Sequence, residues 1–218
     1  MGVEGLAEVA KRTAPQRGHA GLTSPNGRHS MRMIQRELHQ QLAAEIHSTR
    51  KRIESTARAL DGAQLVQRPE RDAWSVGEVL EHLCLSGELY DEPIRQAVHS
   101  ARPDPAAPAR EWKSSLLGGL IANSLAKPRK MQSPKLFRPG PTPRNGVLEA
   151  FLAGERLVSA TMVEATLLDW KALRIATPAL PRFFPKLNLG DAFRIYAVHI
   201  TRHAGQIDRV ATAIKASR

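Results

Sequence analysis

The side chains best placed to do chemistry are three histidines, His82, His199 and His203. His199 and His203 stand four apart in a run patterned as a helix, so they lie about 40° apart around its axis and one turn apart along it. Two imidazoles so placed can converge on one ion. Advancing about 100° per residue from His199, Ala192, Ile195, Tyr196, His203, Gln206 and Val210 all fall within about 60° of it, which puts the pair on the apolar stripe. A buried imidazole without a partner costs about 1 to 3 kcal/mol, so each needs a hydrogen bond, a carboxylate or a metal. The spacing itself does not choose. His-Ile-Thr-Arg-His lacks the glutamate of a zincin HExxH, and two core histidines bonded to neighbouring side chains fit it at least as well.

His82 lies at the margin of another apolar stripe, about 60° from Val79 and about 40° from Ser86, where it could face the pair. Three neutral imidazoles suit Zn, Ni, Fe or Cu, and a site with three protein ligands keeps a position open for water or substrate. Gln206 lies two turns beyond His199 on the same face. It is a candidate to orient a ligand or bond a substrate, and equally a partner for a buried carbonyl. Cys84 sits about 200° around the helix from His82 and reads as a small buried hydrophobe rather than a nucleophile. No catalytic side chain is assigned. His19, His29, His39, His47 and His99 read as ordinary surface residues.

Four long helices must position these groups. Ile34, Leu38, Leu42, Ile46, Ile53, Ala57 and Leu60 recur at helical spacing behind a Ser30 cap, which predicts a first helix over about 31–61. Ser75 and Glu78 form a capping-box pattern before Val79, Leu83, Tyr90, Ile94 and Ala97, predicting a second helix over about 76–99 that Pro93 kinks or brings into its last turns. Residues 101–143 are Pro-rich and hold one short helix near 111–125, so they form a long crossover. Thr142-Pro143 then starts a third helix reaching about Trp170, with Leu148, Phe151, Leu152, Val158, Met162 and Ala165 as its stripe. Asn188 caps a fourth helix that runs to about Ala216 with Asp191 in its first turn. Strand patterning and fixed-period repeats are absent. The expectation is an all-α four-helix bundle over 31–218 with a long crossover between helices two and three, preceded by a disordered extension, residues 1–30.

Composition agrees with one compact domain: 218 residues, 42% hydrophobic and 5% aromatic. A single cysteine and the lack of a leader or long apolar run point to a reducing cytoplasm, with no membrane partner. The net charge is +11, and more than half of the excess lies in the crossover, on Lys127, Arg129, Lys130, Lys135 and Arg138 among others. Aromatics that would stack bases are not interleaved there, so the charge reads as a solvated loop rather than a nucleic-acid surface.

Arg68-Pro69, the segment Trp74-Ser75-Val76-Gly77-Glu78-Val79-Leu80-Glu81-His82-Leu83, Leu187 to Asp191, and His199-Ile200-Thr201-Arg202-His203-Ala204-Gly205-Gln206-Ile207 together resemble the DinB-like (DinB/YfiT) superfamily, over about 31–216. That resemblance implies a metal-binding four-helix bundle in which one histidine of helix two and two of helix four hold a divalent ion. His82, His199 and His203 match those positions, with Zn or Ni ahead of Fe or Mn. It further implies a small-molecule substrate, with thiol-dependent transferases and some hydrolases among similar proteins. Fold does not choose the reaction. The alternatives are a non-catalytic, metal-stabilised binding or stress-response module and a nucleic-acid-associated protein. A homodimer is an open option.

Overall fold

The computed structural model describes residues 31–127, 133–178 and 186–217. Among these residues six α-helices carry the fold: α1 (Gln35–Arg58), α2 (Gly62–Val66), α3 (Val76–His99), α4 (Leu116–Ala126), α5 (Val147–Glu164) and α6 (Leu189–Ala216). The four long ones form a ring in which α1 and α3 each touch both α5 and α6. This is the expected all-α bundle with a long crossover between the second and third long helices. Leu38, Leu42, Ile46 and Ile53 of α1 meet Val79, Leu80 and Leu83 of α3, Phe151 and Leu152 of α5, and Ile200, Ala204 and Ile207 of α6 in one core.

Two predicted caps have the expected chemistry. Ser75 Oγ accepts the Glu78 amide at 3.1 Å while Glu78 Oε2 accepts the Ser75 amide at 2.8 Å, closing the capping box. Glu78 also holds Arg68, whose Nε donates at 2.9 Å. Asn188 Oδ1 accepts the Asp191 amide at 2.8 Å at the start of α6. Helix α3 continues through Pro93 to His99, in agreement with its predicted span.

Other boundaries correct the sequence reading. Among the described residues there are four short strands: β1 (Arg32–Ile34) pairs antiparallel with β2 (Glu111–Lys113), and β3 (Arg174–Ile175) with β4 (Leu187–Asn188). The first helix therefore starts at Gln35, and the crossover helix spans Leu116–Ala126 behind a Ser115 cap. Thr142-Pro143 does not begin the third helix. Gly146 does, with a left-handed φ of 66° that a residue bearing Cβ adopts poorly, and Pro143 packs against Gly77 instead. That helix ends at Glu164, followed by a 3-10 turn (Ala165–Leu167).

The crossover is fastened to α6 rather than hanging from it. Asp191, fully buried, accepts from Ser114 Oγ at 2.6 Å and from the Ser115 amide at 2.8 Å. Trp112 Nε1 donates to Asn188 Oδ1 at 3.0 Å. At the other end of α4, Arg202 donates to the carbonyls of Leu125 and Lys127 at 3.0 and 2.7 Å, satisfying acceptors that a helix end leaves open.

Candidate metal centre

His82 projects from α3, and His199 and His203 from α6, across an interface of the bundle core. Their ring centroids stand 5.1 Å (His82 to His199), 4.7 Å (His82 to His203) and 4.6 Å (His199 to His203) apart. One nitrogen from each lies within 4.8 Å of the other two. The structure thus brings together all three histidines singled out in the sequence. His82 and His203 are buried, and His199 keeps a partly exposed edge.

Hydrogen bonds fix which nitrogens are available. His82 Nδ1 donates to the carbonyl of Phe137 at 2.7 Å, and His203 Nδ1 donates to Gln206 Oε1 at 2.9 Å. With Nδ1 protonated in both rings, each neutral imidazole carries its lone pair on Nε2. His82 Nε2 faces His199 Nε2 at 3.1 Å. Two lone pairs at that distance repel, so a proton on His199 or a cation must lie between them.

Electrostatics keep the rings neutral. Burial lowers the pKa of His82, opposed by the Phe137 carbonyl. Burial first, then the neighbouring rings, depress His199 well below its ordinary value, and His203 is pushed down to about 3. Neutral imidazoles are the ligating form. The donor set fits a borderline ion such as Zn²⁺: three nitrogens within 4.8 Å of one another, two of them on rings oriented by an acceptor on the far side. Among the described residues the cluster consists of these three groups.

Gln206 sits where the sequence placed it and acts on His203, rather than on a carbonyl. Two neighbours of the cluster and one buried carboxylate of the core were missed. Phe137 belongs to a 3-10 turn (Lys135–Phe137) in the crossover, and since its contribution is a backbone carbonyl no residue type announced it. Trp74 lies with its ring centroid 5.2 Å from that of His82 and shields one side of it. Glu155, fully buried on α5, accepts a hydrogen bond from the Tyr196 hydroxyl. A signal for it existed: Glu155 falls four after Phe151 and three before Val158, on the apolar stripe of its helix. Cys84 is buried, its thiol lies 3.9 Å from the Val147 carbonyl, and burial pushes its pKa up to about 11, which suits the inert role expected for it.

A helical bundle with a three-histidine cluster between two of its helices defines a class of protein that could hold a divalent ion within the bundle. The family model of the DinB superfamily matches residues 45–207, and the chain belongs to that superfamily. No curated protein and no solved structure matches it. Among the described residues no helix is long and apolar enough to cross a membrane.

Proposed function

We propose that the protein binds one divalent metal ion through His82, His199 and His203 and works as a metal-dependent transferase of low-molecular-weight thiols, or as a hydrolase of small electrophiles. The observation that carries this reading is the His82 Nε2 to His199 Nε2 approach of 3.1 Å between rings kept neutral by burial, with a third imidazole beside them. When bound, the ion supplies Lewis acidity that makes a water or thiol nucleophilic near neutral pH. The chain's own residues do the rest. Phe137 and Gln206 hold the two Nδ1 protons and so orient the rings, Trp74 and Phe137 keep water from one flank, and the exposed edge of His199 marks where a small molecule reaches the site.

A second reading has one observation in its favour: the ligands come from two helices, so an ion would also fasten α3 to α6 without any turnover. Elemental analysis and a thiol screen separate these outcomes. Wild type is expected to hold about one equivalent of metal, and His203→Ala none, with a lower melting temperature in the presence of Zn²⁺. Unchanged metal in His203→Ala would refute the site. Metal-dependent consumption of a low-molecular-weight thiol against an electrophile panel supports the transferase. A metal-loaded protein that turns over neither thiols nor hydrolysable esters leaves the fastening role and removes the catalytic one.

A further inference from the structure

Three neutral imidazoles contribute no charge, so a divalent ion among them brings two positive charges into a bundle whose nearby carboxylates are mostly committed. Glu78 is held by Arg68, Glu81 is held by Arg144 through Nε at 3.0 and 3.1 Å, and Asp191 accepts from Ser114 and Ser115. Glu155 is different. It is fully buried on α5, its Oε1 accepts from Tyr196, and its Oε2 has no hydrogen-bond partner among the described residues. Tyr196 precedes His199 by three residues on the same face of α6, so its hydrogen bond ties the Glu155 carboxyl to the helix that carries His199 and His203.

We infer that Glu155, held by Tyr196, is the counter-charge of the histidine site: binding of the ion drives one proton from the Glu155–Tyr196 pair to solvent and leaves a buried carboxylate that still accepts from the Tyr196 hydroxyl. This rests on the metal-binding reading above. Glu155 is not a ligand in it; the coupling acts through the field across the core. Burial holds the Glu155 carboxyl up to about 7, against the pull of Tyr196 and of Arg50 on α1, so the pair keeps its proton near neutrality until a positive charge arrives. The other ionisable groups that face the pair are the Cys84 thiol of α3, which interacts with Tyr196, and Tyr90 and Asp91 of α3. The last two line, together with Tyr196, a cavity of about 30 Å³. That volume admits one water beside Tyr196.

Zn²⁺ titration by calorimetry into the metal-free full chain, near pH 6 and in two buffers of different ionisation enthalpy, counts protons released. Wild type is expected to release about one proton more than Glu155→Gln, a difference from which the histidines' own contribution cancels. Near pH 8, Glu155→Gln is expected to bind Zn²⁺ more weakly by on the order of tenfold or more, because a unit of counter-charge is gone at an effective dielectric of about 20. Tyr196→Phe keeps the carboxyl but removes its donor, so the extra proton should persist and its release should move to higher pH. Equal proton release and equal affinity in wild type and Glu155→Gln overturn the inference while leaving the metal site intact. A wild type that takes up no more Zn²⁺ than His203→Ala overturns the metal-binding reading, and this inference with it.

Discussion

Glutamine at position 155 is expected to stabilise the metal-free protein, and to do so only above acid pH. The folded-state pKa of Glu155 rises from an ordinary 4.5 to about 7, with burial as the leading cause. Between those values the folded chain holds a proton that the unfolded chain has released, so wild-type stability falls as pH rises through this window and levels off above it. At about 1.36 kcal/mol for each pH unit, the whole interval is worth about 3 kcal/mol, an order-of-magnitude figure. Glutamine cannot ionise and keeps a partner for the Tyr196 hydroxyl, so its advantage over glutamate should be near zero around pH 4 and reach about 3 kcal/mol around pH 8. Urea unfolding in the presence of a chelator, at several pH values spanning that range, measures the difference directly. A gap between the two proteins that does not change with pH would show that the carboxyl group ionises as easily inside the bundle as outside, and the account of Glu155 would be wrong.

Removing the acceptor behind His203 is expected to weaken the site without unfolding it: Gln206→Ala should lower Zn²⁺ affinity by about 10- to 100-fold in competition with a chelating dye, while the helical circular dichroism is unchanged. Packing of the crossover on α6 gives a stability test. A Cβ on Gly118 would lie 2.1 Å from Asp191 Cγ, both residues being buried, so Gly118→Ala should cost about 2 kcal/mol or more in chemical unfolding. Gly62→Ala, where a Cβ meets nothing within 4 Å, serves as the tolerated control.

The parts of the fold legible in the sequence were those fixed by local chemistry. Ser75 with Glu78, and Asn188 with Asp191, announce helix starts because the capping partners lie within three residues. The strands were not legible: each spans two or three residues, and Met33 pairs with Trp112 across the whole of α1, α2 and α3, so no period had room to show. Thr142-Pro143 carries a helix-start signature, yet the helix waits for Gly146, where a left-handed residue turns the chain, while Pro143 is used in packing. For the candidate site, helical spacing put His199 and His203 on one face but left His82 marginal, because a stripe edge does not say which neighbour it meets. Glu155 was visible as a charged residue at a core position. Its partner could be known only once α5 and α6 were placed together.

The fastening of α6 also bears on its freedom to turn. Asn188 and Asp191 grip residues 112–115 at its first turn, and Arg202 grips the end of α4 three turns later. A slip of one residue would swing every side chain of the helix through about 100° and break bonds at both ends together. The angular setting of His199 and His203 is thus locked by contacts on the outer side of the bundle, away from the imidazoles themselves. Substitutions in the crossover, far from any ligand, can therefore detune the site by rotating the helix that carries it.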